Sequence, residues 1–281
     1  MQGYKMKKLT YIVFLTILSE EEMQYIEQLY DMVKVFINTV PSCCQENNTL
    51  IITDMESKYS EYKHGDYACL ALCRNGERFS VYTPYISEGL EQLDYSYCNL
   101  VFMRLNNLPM DIAETSRCLL REITEGDIES LYSLYQGRGI TDYMEPLYAN
   151  PEEEAEYTRK YIQNVYGMYG YGIWVIIEKS SGRMIGRAGI ELKEHPLDTE
   201  KYILELGFMI AADKQRQGYA TEVIRAILAF AQLQTDMKEV YCYVYSQNTA
   251  SRSFCLSMGF SEGIHFIKDG KEYVEYCRSI N

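Results

Sequence analysis

Gln215-Arg216-Gln217-Gly218-Tyr219-Ala220 lies between an apolar strand pattern, KYILELGFMI over residues 201–210, and an unbroken helical pattern, TEVIRAILAFAQ over residues 221–232. A turn in that position gathers free backbone N–H groups at a helix start, where unpaired amides and the helix dipole attract a phosphate oxyanion. Gly218 suits the task because a backbone that must approach a diphosphate closely has no room for a Cβ, and small Ala220 lets the first helical turn sit tight against the loop. The run is not a P-loop, which would end in Gly-Lys-Ser/Thr. Nor is it a dinucleotide fingerprint, whose glycines follow the first strand of a βαβ unit with an acid about 20 residues on. Residues Gln215, Arg216, Gln217, Gly218, Tyr219, Ala220 and Thr221 are therefore read as an anion cradle. Arg216 is the first candidate to neutralise phosphate and Lys214 and Arg252 are lesser ones, although basic residues beside a helix are more often solvated surface.

A second stretch agrees in order and spacing. VYCYVYSQNTASRSFCLSMGF, Val240 to Phe260, reads as a strand, a helix opened by Asn248, and a stop at Gly259-Phe260. With the Gln/Arg-x-x-Gly-x-Gly/Ala pattern of residues 215–220, this chain resembles the GNAT superfamily of acyl-CoA-dependent N-acetyltransferases. LLREITEGDIESLYSLY (119–135), YGIWVIIEKSSGRMIGRAGIEL (171–192) and the Leu204-Glu205-Leu206-Gly207-Phe208 core resemble its ribosomal-protein alanine acetyltransferase branch. The resemblance covers residues 117–281.

The resemblance implies a mixed, mostly antiparallel, splayed sheet flanked by helices. It implies acetyl-CoA as acyl donor, no metal, and direct attack by a primary amine in a ternary complex. The pyrophosphate would rest on residues 215–221, and the pantetheine arm against Phe208, Met209 and Ile210, pairing like an added strand. The resemblance adds a contact from Asn248 and Ser251 to the coenzyme, beyond the N-cap that Asn248 makes for its own helix. Glu205, on the strand face shared with Gly207 and Met209, is the implied base or water-relaying carboxylate; the bland alternative is a solvated charge on a half-exposed strand. Many members carry a Tyr seven residues after the Asn to protonate the leaving thiolate. Here Cys255 holds that place, and a thiol of ordinary pKa ~8.5 has a proton to give, although buried cysteine is more often inert packing. Tyr143, Tyr171 and Trp174 are candidates for an acceptor groove, with core packing as the competing reading.

Composition sets the frame. A 281-residue chain that is 47% hydrophobic holds two domains of ordinary size. With 27 basic against 40 acidic side chains, the net charge of −13 repels nucleic acid and anionic membrane and favours a cationic amine acceptor. Nine cysteines show no paired Cys-x-x-Cys spacing, so reduced thiols are expected rather than zinc or disulfides. MKKLTYIVFLTIL begins as a signal peptide does, but no small-x-small cleavage site follows and Ser19 to Glu22 form a capping box, so a buried element and a cytoplasmic protein are expected.

The domain boundary is placed near Glu114: a small Rossmann-like α/β domain over residues 1–113 precedes the transferase over 114–281. In the first, residues 19–40 read as one amphipathic helix closed by Pro41, while TLIITD (49–54), YACLALC (67–73) and YCNLVFMRL (97–105) read as strand-like runs. Residues 106–117 read as a connector around Pro109. His195 falls in the acidic segment 191–200, read as a solvated crossover. Asp54 ends an apolar strand as the nucleophile of haloacid-dehalogenase-like phosphatases does, but Glu56 stands where that motif needs a second Asp. The first domain is left with covering the transferase, narrowing substrate access, or pairing copies into a homodimer. The alternative function is a catalytically weak acyl-CoA-binding regulatory protein whose N-terminal module binds a partner.

Overall fold

The computed structural model describes residues 7–280; the first six residues, including Met6 of the signal-like stretch, and Asn281 lie outside the described residues. The chain divides into two compact units, Met1–Met110 and Asp111–Asn281.

The first unit runs β1 (Tyr11–Leu15), α1 (Glu20–Glu27), β2 (Lys34–Ile37), β3 (Thr49–Thr53), α2 (Glu56–His64), β4 (Ala68–Leu72), β5 (Ile86–Ser87), α3 (Tyr95–Leu105). Every strand pairing is parallel, in the order β2-β1-β3-β4-β5, which is doubly wound. Ile12, Phe14, Leu50, Ile52 and Leu70 pack with Ile26 of α1 and Val101 and Phe102 of α3, while Val13, Leu15, Ile51 and Ala71 pack with Tyr59 of α2. A sheet covered on both faces needs apolar residues at successive positions, hence the continuous runs in β1, β3 and β4.

Two expectations are corrected here. Residues 19–40 are not one helix: α1 ends at Glu27 and residues 34–37 join the sheet beside β1. Val33, Phe36 and Ile37 fit a helical stripe, but the β-branched cluster Val33, Val35, Ile37 finds a better partner in a parallel neighbour. Residues 97–105 are helix, not strand. Asp94 caps α3 by accepting the Tyr97 N–H at 2.7 Å, and Cys98, Val101 and Phe102 are buried at helical spacing. Asp54 accepts from Thr16 Oγ1 at 2.6 Å and Arg74 at 2.5 Å, and Glu56 accepts from the Ser80 N–H at 2.9 Å, so both acids are held by internal partners.

The second unit runs β6 (Asp111–Glu114), β7 (Cys118–Arg121), α4 (Ile128–Tyr135), α5 (Pro151–Tyr161), a π-helical turn (Ile162–Tyr166), the single turn α6 (Gly167–Tyr169), β8 (Ile173–Glu178), β9 (Met184–His195), β10 (Asp198–Ile210), α7 (Tyr219–Gln234), β11 (Glu239–Tyr245), α8 (Thr249–Ser257), β12 (Ser261–Lys268) and β13 (Lys271–Ser279). Its eight strands lie in the order β12-β13-β11-β10-β9-β8-β7-β6, antiparallel throughout except between β10 and β11. Residues 111–114, expected as connector, are strand β6, because β7 offers them an open edge. The segment 191–200 is likewise not a free crossover but the β9–β10 hairpin.

Strand alternation splits the residues between two faces. On one, Trp174 meets Phe230 of α7 at 5.0 Å and Phe208 meets Phe254 of α8 at 4.8 Å between ring centroids. On the other, Tyr161 of α5 donates to Glu191 of β9 at 2.7 Å. Glycine is required at 189, where a Cβ would come within 1.9 Å of the Gly172 carbonyl.

Candidate active site

The turn between β10 and α7 is built by alternating backbone handedness. Arg216 (φ +62) and Gly218 (φ +82) are both left-handed around Gln217, an arrangement that makes an anion-binding concavity. Among the described residues, the N–H groups of Gln217 through Thr221 donate to no protein acceptor; the first bond into α7 runs from Glu222 N–H to the Gly218 carbonyl at 3.1 Å. The turn is clamped on three sides. Gln215 Nε2 donates to the Ile210 carbonyl at 3.0 Å and Gln217 Nε2 to the Asp213 carbonyl at 2.7 Å. Arg117 binds Glu222 through its N–H and Nε, both at 2.7 Å, reaches the Gln217 carbonyl at 3.0 Å and stacks 4.1 Å over the Tyr219 ring. Glu178, at the end of β8, accepts from Lys214 at 2.6 Å, Ser181 at 2.6 Å and the Tyr219 hydroxyl. Hydrogen bonds from Lys214, Ser181 and Tyr219 hold its carboxyl down at about 2. Lys214 is thereby spent on Glu178, whereas Arg216 is exposed.

A wedge opens beside this turn. β10 and β11 pair only at Leu204–Val240 and Glu205–Tyr241, yet β10 runs on to Ile210 and β11 to Tyr245. Past the second rung the strands part. The β11-side edge of residues 206–210, including Phe208, Met209 and Ile210, thus presents peptide groups with no strand partner. On the far side, Asn248 caps α8 by accepting the Ser251 N–H at 3.1 Å. Arg252 is occupied by the Tyr276 hydroxyl and the Ser246 carbonyl, both at 3.2 Å. Cys255 is buried, 1% exposed. Its interaction with the Cys242 thiol, together with burial, pushes Cys242 up.

Glu205 lies on the opposite face from α7 and α8, half-buried, directly across from Glu191 in the β9–β10 register. Lys193 Nζ is 2.9 Å from Glu191 and 3.5 Å from Glu205. Burial pulls its pKa down, but the charges of Glu205 and Glu191 outweigh this and hold it above the ordinary lysine value. Burial, then the Glu191 charge, push the Tyr161 hydroxyl up, so it remains a donor. Tyr241 and Tyr243 continue this face, and His195 Nε2 meets Glu275 at 3.0 Å. Between the β9–β10 hairpin and β12 lies a cleft of about 460 Å³ whose lining includes Lys193, His195, Leu197 and Phe266. Tyr143 is exposed, its ring 5.8 Å from Tyr245, Tyr171 is half-buried beside Tyr169, and Trp174 is core. Among the described residues no group of three or more His, Cys, Asp or Glu is placed to hold a metal, and no helix is long and apolar enough to cross a membrane.

The model of the acetyltransferase (GNAT) domain matches residues 117–261. The chain belongs to the GNAT family. This GNAT chain is 29% identical over 159 residues to the uncharacterized N-acetyltransferase YoaA of Bacillus subtilis (strain 168), covering 54% of this chain and 85% of that one. Among solved structures it is similar to RimL, a ribosomal L7/L12 alpha-N-protein acetyltransferase, with TM-score 0.52 and 14% identity over 62% of this chain and 96% of that one. It is also similar to the ribosomal-protein-S5-alanine acetyltransferase of Vibrio fischeri, with TM-score 0.51 and 10% identity over 60% and 96%. At those identities the likeness is one of fold.

The candidate site also brings in residues that the sequence did not single out: Arg117, Glu178, Glu191, Lys193 and Tyr161. Arg117 and Glu222 are 105 positions apart and no spacing rule joins them. Glu191 and Lys193 had a local signal, since an acid and a lysine two positions apart share one strand face, but they were read as part of the acidic crossover.

Proposed function

We propose that this enzyme transfers an acetyl group from acetyl-CoA to a primary amine, in a ternary complex and without an acyl-enzyme. The observation that carries the reading is that the wedge and the amide-lined turn adjoin along one strand. Residues 206–210 lead directly into residues 215–221, so an extended arm ending in a diphosphate has a matching edge and a matching anion seat. Acetyl-CoA supplies the activated thioester.

The protein's part is to bind, orient and move protons. Gln217 through Thr221 offer amides to the diphosphate, and Arg216 adds a charge at the rim. Asn248 and Ser251 flank the arm from α8. Glu205 takes the proton of the attacking amine, with Glu191 and Tyr161 shaping its surroundings. Cys255, on α8, is the candidate donor to the departing thiolate. The acceptor is a protein N-terminus or a small amine; the acidic net charge favours a cation. All nine thiols are free and seven are buried, which suits work in the reducing cytoplasm.

The test is release of free thiol from acetyl-CoA across a panel of amines, with Glu205→Gln beside wild type. The variant is expected to lose about 10²-fold or more in kcat with coenzyme affinity nearly unchanged; equal rates sink the base role. Cys255→Ala should slow turnover only if its thiol supplies the proton. Absence of a thermal shift with acetyl-CoA would remove the cradle and with it the reaction.

A further inference from the structure

We infer that the Glu191–Glu205 pair is the seat of the acceptor's ammonium, that Lys193 is an internal competitor for that seat, and that the acceptor is an unbranched primary alkylamine. The inference rests on the acetyl-transfer reading and goes further by naming the acceptor class and what opposes it.

Two carboxylates directly opposite each other across an antiparallel pair repel, and a half-buried face tolerates them when a cation lies between them or one of them is protonated. Here that cation is the chain's own: Lys193, two residues beyond Glu191 on the same strand face, folds back onto both acids at 2.9 and 3.5 Å. The acids and the lysine differ in how firmly they are held. Glu191 is pinned by the Tyr161 hydroxyl at 2.7 Å, and that oxygen also accepts the Ile173 N–H at 2.7 Å. The Lys193 side chain is 48% exposed, against 19% and 26% for the two acids, and it hangs on a flexible four-carbon stem.

Lys193 also lines the cleft between the β9–β10 hairpin and β12. Swung into that cleft, which neither acid lines, it leaves the two acids without their cation. An incoming ammonium that takes its place keeps one positive charge between two negative ones, so no buried charge is stranded. The resident defines the fit: the seat already holds a primary ammonium on a straight butyl chain, so an ω-amino alkane or a lysine side chain matches it. A branched amine or an α-amino terminus does not. On the same face His195 meets Glu275 at 3.0 Å, Lys201 donates to the Tyr241 hydroxyl at 3.0 Å and Arg121 pairs with Asp127 at 2.7 Å, while Arg187, four residues before Glu191, keeps a buried Nε with no hydrogen-bond partner among the described residues.

Binding of n-butylammonium, measured calorimetrically at fixed ionic strength without acetyl-CoA, tests this on wild type, Lys193→Met, Lys193→Arg and Glu191→Gln. Removing an exposed ion-pair competitor is expected to tighten binding roughly two- to fivefold in Lys193→Met. Lys193→Arg should stay near wild type, Glu191→Gln should weaken binding, and tert-butylammonium and a peptide N-terminus should bind poorly to all. With acetyl-CoA present, the same factor should appear as a fall in KM for butylamine. Lys193→Met binding no tighter than wild type, or losing kcat at constant KM, would overturn the inference and make Lys193 a support for Glu205. Preference for the peptide N-terminus would overturn the acceptor class. The binding pattern without acetyl transfer would sink the reaction but keep the seat; transfer without the pattern would do the reverse.

Discussion

Gly218 and Arg216 stand two residues apart in the same left-handed region, and substitution should affect them in opposite ways. Gly218→Ala puts a Cβ where L-residues are strained and should lower the unfolding free energy by about 1–2 kcal/mol. Arg216→Gly relieves a comparable strain, so it should gain about 1 kcal/mol in stability while acetyl-CoA affinity falls with the lost charge. Urea denaturation and calorimetry check both signs; a stability loss in Arg216→Gly would mean the loop is not strained there. Glu178 makes a prediction about pH. Its carboxyl is held at about 2, below the ordinary 4.5, so its contribution to stability is complete above pH 4.5 and drains away as pH falls toward 2. Glu178→Gln should therefore flatten the acid limb of the stability curve across that window, and an unchanged limb would refute it. The left-handed turn at Gly218 and the strand face of Glu205 were legible in the sequence because one belongs to a local motif and the other to a strand with clear alternation. Arg117 and Glu178 were not, because their partners are distant in sequence.

At the scale of elements, the Arg117–Glu222 pair joins the start of β7 to the first turn of α7 and holds the carbonyl side of the turn. Arg117→Ala should weaken acetyl-CoA binding several-fold with little change in kcat, since the amides lose orientation while Glu205 is untouched; unaltered affinity would show the turn holds itself. α3 tests the reading of residues 97–105 as helix. Asp94→Ala removes the cap that accepts the Tyr97 N–H and should cost about 1 kcal/mol. That run misled because Tyr, Val and Phe are frequent in strands, and the cap that decides lies three residues before the apolar stretch. β2 misled in the opposite direction: Val33, Phe36 and Ile37 satisfy a helical period, and only pairing with β1 selects the strand. Short elements take their identity from neighbours, whereas α7, sixteen residues long with buried Val223, Ile224, Ile227 and Ala231, declares itself.

For the whole molecule, we propose that the two compact units fold independently. A fragment of residues 111–281 should show cooperative thermal unfolding and bind acetyl-CoA as the full chain does. A fragment beginning at residue 116 should be less stable, because it discards β6, which pairs with β7. Failure of the longer fragment to fold would tie the units together. The α/β character of the first unit was legible from its alternation of apolar runs and polar helical stretches, whereas residues 111–114 were read as connector because they carry no apolar run long enough to mark a strand.

The two-rung junction between β10 and β11 leaves the eight-stranded sheet as two panels joined at a single narrow seam. Whatever fills the gap acts as a keystone. Amide hydrogen exchange along residues 206–210 and 242–245 should therefore slow together when coenzyme is added, although the two segments share no ladder bond. On the proposed reading, the sheet becomes one stiff unit only once that gap is filled.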